Sequence, residues 1–519
     1  MNIRQLIEQS VAASPKKTYL YFRDLEISYQ EFNSNVNRVA NGLLGLGVVK
    51  GDKVSLMLPN SPEFLYSWFA LSKIGAVMVP INLAFKEREI GYILNHSGAK
   101  VFICSGEQLP VITNVRRSCS SLDQVISTGR EELAGIVNFH QLFKEHDEDL
   151  RWIDVDDEDL AACIYTSGTT GQPKGVMLSH ETYVLTGQSY AFSAGLSCQE
   201  RLMTPNPVFH INAQLYSTMG TLAANASLIL LERFSASRIW EQARYYKANK
   251  LVLVLASASI LLSRTETEDD DNNPVEKVIA GGTIKGRFRE FEKRFGVALQ
   301  TIYSLTESPV AIMSPLGQVS KDGGIGIPMR HPDPDFRNEV RIVSEDGSEA
   351  PPLVLGEVII KNPAIMKGYY KDPGLTAETI KDGWLYTGDT GYKDEDGYFF
   401  FIGRNKDIIR RKGEQIPAAE VEDVINSHPK VSYSAVIGIP AGIADEEVKA
   451  YVVLKRDESL LYEELVQWCA AHLADFKVPR YLEYRDDLPR NALDRVTKEV
   501  LKEEKIALTK NCYDRQVQR

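Results

Sequence analysis

Tyr165-Thr166-Ser167-Gly168-Thr169-Thr170-Gly171-Gln172-Pro173-Lys174-Gly175 gathers three glycines and four Ser/Thr hydroxyls around a single lysine. Such a run suits a phosphate group. Glycine lets backbone N–H groups approach an anion closely, hydroxyls donate further hydrogen bonds, and lysine supplies compensating charge. The preceding Leu160-Ala161-Ala162-Cys163-Ile164-Tyr165 is a short apolar run suited to a buried strand, so the loop is expected to leave the end of a sheet strand. It differs from the common Gly-x-x-x-x-Gly-Lys-Ser/Thr loop, because Lys174 is followed by Gly175 and not by a magnesium-binding hydroxyl. A flexible surface linker would not predict so many donors behind strand-like residues.

Upstream of the loop the pattern alternates strand and helix. Ser28-x-x-Glu31 is a capping-box signal, and Phe32, Val36, Val39 and Leu43 recur at helical spacing, predicting a helix from Tyr29 to Leu44. Val54 to Leu58 reads as a strand, Ser61-Pro62 as an N-cap and first helical position, Phe64 to Ile74 as a helix closed by Gly75, and Ala76 to Val79 as a strand. Ile90, Ile93 and Leu94 followed by Ala99 to Ile103 suggest another helix–strand unit, so a parallel sheet with right-handed crossovers is expected.

Downstream, Leu228 to Leu231 and Leu251 to Leu255 are strand candidates around a helix near Ser237 to Ala248, and Pro207 to Gln214 is an apolar segment carrying His210. Thr265 to Asn273 reads as solvated acidic loop. Val278 to Thr283 looks like a strand entering a tight turn where backbone can approach a flat ligand. Gln300 to Glu307 brings an aromatic ring, hydroxyls and a carboxylate together; taken alone it reads as Tyr303 in the core and Glu307 on the surface.

Short strands and turns between Arg337 and Phe401 suggest a small β-rich subdomain. The remaining helix, strands and helix (Pro417 to Ser427, Val431 to Ile437, Glu447 to Leu454, Ser459 to Leu473) make a separate α+β domain, joined at the polar Arg404 to Asp407 segment.

With 519 residues the chain should hold about three folding units. Its formal net charge of -11 argues against a dedicated nucleic-acid binder, and Arg410-Arg411-Lys412 reads as a solvated face. No apolar run reaches the ~18 residues of a membrane span, and the N-terminus lacks a signal-peptide core, so a cytoplasmic protein is expected. The six cysteines are scattered without metal-ligand or disulfide spacing.

Tyr165 to Gly175, Phe209-His210, Gly281-Gly282, Tyr303 to Glu307, Tyr386-Thr387-Gly388-Asp389, Gly403-Arg404 through Gly413-Glu414 and Leu488-Pro489-Arg490 follow one another in that order. Over nearly the full length this resembles the adenylate-forming superfamily of acyl-CoA synthetases, luciferases and peptide-synthetase adenylation domains. Phe209 to Gln214, Asp445 to Ala450 and an arginine at position 495 look similar to its carnitine- and crotonobetaine-ligase-like branch.

The resemblance implies an α/β fold, with a large N-terminal adenylation domain (1–403) of several subdomains, αβα-type sheets and a small β subdomain, followed by a small mobile α+β domain (404–519). The implied reaction joins a carboxylic acid to ATP as acyl-AMP, releasing pyrophosphate, and then passes the acyl group to the thiol of CoA. Thr166, Ser167, Gly168, Thr169, Thr170, Gly171 and Lys174 would hold the departing phosphates, and Glu307 would bind Mg²⁺ beside Thr306. Tyr303 would pack on adenine against Gly281, Gly282 and Thr283, Asp389 and Arg404 would hold the ribose, and His210 would position the acyl group.

The C-terminal domain would turn about Lys406 so that Gly413 admits pantetheine. The family's late lysine is replaced by Arg495, and the glycine before it by Asp494; arginine keeps the cation but is bulkier, and Lys498 is the alternative. Loading of a carrier protein, and a nucleotide-binding regulator that has lost adenylation, stand as rival readings, and a homodimer is left open.

Overall fold

The computed structural model of the chain describes residues 1–129, 134–166, 173–282, 287–404, 407–411, 414–442, 445–490, 496–504 and 512–516. They divide into two compact units: 1–341 with 359–387 and 395–400, and 342–358 with 388–394 and 401–519.

In the first unit the expected strand–helix alternation builds parallel sheet. Lys53–Met57 lies between Val77–Pro80 and Val101–Cys104, parallel to both, and Gln124–Ser127 continues the sheet. The helices between them start and stop where the caps predict. Ser28 and Glu31 close a capping box on Tyr29–Gly45, while Ser61 accepts from Phe64 N and Gly75, at φ +70°, ends Pro62–Ile74. The other edge of this eight-stranded sheet is antiparallel: Leu160–Thr166 pairs with Lys174–Ser179, which pairs with the short strand Gly368–Tyr369.

A second sheet runs through Ala298–Tyr303, Lys277–Gly281, Lys250–Val254, Arg201–Thr204, Ser227–Leu230 and Thr18–Phe22, all parallel where they adjoin. Its strands alternate in what they face. Val252 and Ile279 join a core shared with the first sheet and the helices Ile3–Ala13, Tyr29–Gly45, Pro62–Ile74 and His180–Ala194. Leu251, Leu253, Val278 and Ala280 pack the opposite way, against Ile239–Tyr246, Leu255–Ser263 and Phe288–Phe295. The outer face of the first sheet is covered by Glu87–Ser97 and Leu109–Arg116. Helix, sheet, helix, sheet and helix thus succeed one another, and central strands such as Lys53–Met57 and Lys277–Gly281 are buried on both faces.

One expectation is corrected here, and two segments carry detail that their sequence did not specify. Leu255 begins a helix and does not end a strand, since a short apolar run alone cannot separate the two. The segment after His210 winds into a π-helix, Asn212–Thr218, in which Thr218 Oγ1 also donates to the carbonyl five residues back, Ala213 O, at 2.8 Å. The acidic loop is not all solvent: Arg294 donates from Nε to Asp270 at 2.6 Å and from its terminal nitrogens to the carbonyls of Leu262, Arg264 and Thr265.

In the second unit Val431–Gly442 and Asp445–Leu454 form a long antiparallel pair, extended by Tyr481–Tyr484 in parallel and Tyr513–Asp514. Val436, Val448, Ala450, Val452 and Leu482 pack on Ala418–Asn426 and Tyr462–His472, while Ala435, Ile437, Tyr451 and Val453 face the other way toward Leu488 and Leu501. A separate hairpin, Ile408–Arg411 with Glu414–Pro417, adds Ile409 and Ile416 to the first of these cores.

Candidate active site

Thr166 and Lys174 are Cα partners across the antiparallel strands, so the glycine-rich run is the connection of a hairpin. Its expected donors Ser167, Gly168, Thr169, Thr170 and Gly171 lie outside the described residues. The strand that carries Lys174 needs glycine next in line. A Cβ on Gly175 would stand 2.7 Å from Cys163 Sγ, closer than Cβ atoms approach, and a tight 3.3 Å from Tyr370 Cβ.

Gly175 O accepts from Tyr370 N at 2.7 Å, and Met177 O from Lys367 N at 2.9 Å, which seats the Lys367-to-Tyr370 segment against the lysine strand. The same segment reaches Glu307, whose carbonyl accepts from Met366 N at 2.8 Å. Between these anchors stands Tyr369. Its hydroxyl donates to Glu307 Oε1 at 2.9 Å, and Lys174 Nζ lies 5.4 Å from its ring centroid, within reach of a cation–π attraction. Lys174 and Glu307, 133 positions apart in sequence (307 − 174), therefore share one tyrosine.

Glu307 is half-buried, in a tight loop where Leu305 and Ser308 exchange backbone hydrogen bonds at 3.2 Å. The surface position expected from its sequence alone is thus overturned. The loop is tied down beyond Glu307 as well: Tyr216 donates its hydroxyl to Pro309 O at 2.7 Å, and Asn362 donates to Val310 O at 2.8 Å. Thr306 lies beside Glu307, also half-buried.

Tyr303 ends the strand Ala298–Tyr303 and is 9% exposed. Gly281 faces Ile302 on the adjacent strand, and Gly282 N donates to Ile302 O at 3.1 Å from a backbone at φ +96° that glycine adopts without strain. The two glycines and the tyrosine thus end neighbouring strands, where open α/β sheets take ligands. Thr283 lies outside the described residues.

His210 lies just before the π-helix, its ring 4.5 Å from that of Phe209. A buried polar network holds this segment. Asn60 accepts from Val208 N at 2.8 Å and donates to Asn206 O and Leu231 O, Gln214 donates to Val208 O at 2.8 Å, and Tyr183 donates to Gln214 Oε1 at 2.6 Å. Asn212 comes close to Gly281, 3.6 Å from where a Cβ would stand, so the histidine segment adjoins the glycine turn.

In the second unit Asp389 is 2% exposed and its Oδ1 lies 2.7 Å from Arg404 Nε, which brings that predicted pair together. The backbone leads into Asp389 through Gly388, whose N–H donates to Glu357 Oε1 at 2.8 Å. Arg411 departs from the solvated reading at its own position: it is 3% exposed, 2.7 Å from Glu447 Oε2, and donates to Phe476 O at 2.7 Å. Lys498, the alternative cation, sits 2.7 Å from Glu422, whose carboxyl is pushed up by burial and partly offset by that ammonium. Lys406, Gly413, Asp494 and Arg495 lie outside the described residues.

Tyr369, Tyr183 and Asn60 were missed by the sequence reading, and Gln214 figured in it only as the end of the Phe209–Gln214 segment. Tyr369 had one available signal, an aromatic pair behind Gly368 and ahead of Asp372-Pro373. The other three are buried polar residues far apart in sequence, and only the fold reveals what they satisfy.

An AMP-binding enzyme family model matches residues 7–370, and the C-terminal domain model of the same enzymes matches 420–494. The chain belongs to the family of AMP-binding enzymes. The crotonobetaine/carnitine–CoA ligase of Salmonella typhimurium strain LT2 is 34% identical to it over 516 residues, covering 96% of this chain and 99% of that one. ATP-bound MatB from Rhodopseudomonas palustris shares the fold with a TM-score of 0.88 and 28% identity, over 98% of this chain and 100% of that one. The O-succinylbenzoate coenzyme A synthetase from Bacillus subtilis, in complex with AMP, gives a TM-score of 0.83 at 26% identity, over 96% and 98%.

Proposed function

We propose that this chain is an ATP-dependent, AMP-forming acyl-CoA ligase acting on a carboxylic acid. The observation that carries the reading is the gathering of Lys174 and Glu307 around Tyr369 at the end of a sheet, in a chain of the AMP-binding family. An acid of the carnitine or crotonobetaine type heads the candidate substrates, by likeness to the Salmonella ligase.

A carboxylate is a poor acyl donor because its oxygen leaves badly, and adenylation replaces that oxygen with a good leaving group. In this reading Thr166, the glycine-rich run through Gly171 and Lys174 grip the β- and γ-phosphates as they depart. The adenine lies between Tyr303 and the backbone of Gly281, Gly282 and Thr283, while Asp389 accepts from the ribose hydroxyls beside Arg404. His210 positions the acid, and Arg495 bridges its carboxylate and the α-phosphate. For thioester formation the C-terminal domain, 404–519, turns at Lys406 against 1–403, and Gly413 admits the pantetheine arm.

The donor set suits Mg²⁺. Among the described residues no three His, Cys, Asp or Glu side chains cluster as metal ligands, so a cation here would take Glu307 together with oxygens of the nucleotide, the usual manner of Mg²⁺ on ATP. When bound, Mg²⁺ supplies neutralisation of the phosphate charge.

All six cysteines are free thiols, which supports a reducing, cytoplasmic setting. No helix among the described residues is long and apolar enough to cross a membrane. The reading allows a homodimer, and light scattering on the eluted chain reads that directly.

The test is a panel of carboxylic acids with ATP, Mg²⁺ and CoA, following AMP, pyrophosphate and acyl-CoA. Acyl-CoA formation with one acid class is expected. Binding of ATP with no AMP from any acid would overturn the ligase reading.

A further inference from the structure

Glu307 has two carboxylate oxygens, and the fold treats them differently. Oε1 accepts from the Tyr369 hydroxyl at 2.9 Å, whereas Oε2 has no protein donor among the described residues. We propose that Tyr369 is a positioning residue that restricts Glu307 to one metal-binding oxygen and so makes the nucleotide site prefer Mg²⁺ over Ca²⁺. The inference rests on the ligase reading only in taking Glu307 as the carboxylate that meets the nucleotide's cation.

The tyrosine is built to stay in place. It is 8% exposed and its backbone pairs with Val176. Its N–H donates to Thr376 Oγ1 at 2.9 Å, and Lys367 N and Tyr370 N donate to the lysine strand at Met177 O and Gly175 O. The backbone bonds fix where the phenol is carried, and burial of the side chain limits how far it can turn away from Oε1.

The consequence follows from ion size. Mg²⁺ takes six oxygens in a tight octahedron and accepts one oxygen from a carboxylate, whereas Ca²⁺ takes six to eight at longer range and commonly binds both oxygens of one carboxylate. A hydrogen bond on Oε1 competes with the second mode and leaves the first intact. Because the phenol is neutral, it does so without cancelling the charge that attracts the cation. The same ring holds Lys174 at 5.4 Å, so ring and hydroxyl carry separable roles.

The test is equilibrium binding of ATP to the full chain by calorimetry, with Mg²⁺ or Ca²⁺ alone as the metal. In Tyr369→Phe, which keeps the ring, Mg²⁺-supported binding should weaken about 10-fold, as loss of an outer partner does. Ca²⁺-supported binding should hold or tighten, so the Mg²⁺-to-Ca²⁺ ratio falls. Tyr369→Leu should in addition weaken ATP binding with either metal, because Lys174 loses its ring.

The ratio is internal to each preparation, so partial misfolding leaves it readable. Glu307→Asp, which draws the carboxylate back by one methylene, provides a second variant expected to lower the ratio. A ratio in Tyr369→Phe equal to wild type, or no Mg²⁺ preference in wild type, would overturn the proposal. The two readings also fail separately: ATP binding without adenylation sinks the ligase and still tests Tyr369, whereas full ligase activity with an unchanged ratio sinks only the role of Tyr369.

Discussion

Glu307 in the first unit and Glu422 in the second are both carboxylates drawn back from water, and their partners are of different kinds. Glu307 receives a neutral phenol, whereas Glu422 receives the ammonium of Lys498 at 2.7 Å and the backbone N–H of Val436 at 2.7 Å. Glu447, close to Glu422 in kind, faces Arg411. A carboxylate beside a neutral donor is oriented but keeps its charge for a ligand. One beside a cation has its charge matched within the fold and serves structure. The same rule sorts the cations: Lys174 lies over a ring with no carboxylate recorded against it among the described residues, while Arg411 and Lys498 are paired.

The largest effect should come from breaking a deeply buried pair. Arg411→Met leaves Glu447, among the described residues, with Arg480 at 3.6 Å, and is expected to lower unfolding stability by about 3–5 kcal/mol in denaturant titration, while adding Glu447→Leu should recover most of it. Next, Glu307→Gln or Lys174→Met should slow pyrophosphate release about 10²–10³-fold, roughly 2.7–4 kcal/mol of barrier, with melting little changed. Wild-type rates in both would erase the contrast between the two units.

Lys498→Met should reduce stability by about 1.5–3 kcal/mol and leave the adenylation rate per folded molecule unchanged. A collapse of adenylation at full stability would instead place Lys498 on the substrate. The smallest effect is a pH dependence. Burial raises the Glu422 carboxyl above its ordinary 4.5, so the folded state holds this proton to higher pH than the unfolded chain. Its contribution is fully present below 4.5 and is lost as pH rises through the raised value. Stability of wild type relative to Glu422→Gln should therefore fall between acid and neutral pH, as urea titrations at pH 4, 5.5 and 7 would show.

Much of the fold was legible because its signals are local. The capping box at Ser28, the Ser61-Pro62 start and Gly75 stop, and the apolar runs at Val54 and Val278 each fix an element by short-range chemistry. The π-helix was not legible, because Asn212 to Thr218 is a plain mixed segment whose winding depends on Tyr183, Gln214 and Asn60 meeting in space. In the site, Tyr303 and Glu307 gained meaning only through the family pattern, since an aromatic and an acid four residues apart have no intrinsic geometry. Tyr369 escaped because the Glu307 and Lys174 it touches lie 62 and 195 positions away (369 − 307 and 369 − 174), beyond any periodicity.

The π-helix also sets an angular phase. Each residue of an α-helix turns the chain by about 100°. Asn212–Thr218 separates His210 from the α-helix Met219–Ala223 and itself carries Tyr216, which is fixed to Pro309. Deleting Ala213 would invite the segment to rewind as α-helix, and His210 would then rotate by about that angle relative to Tyr216. A one-residue deletion at this point is thus a rotation of the imidazole about the helix axis, whereas the same deletion in an exposed loop such as 345–349 changes only a turn.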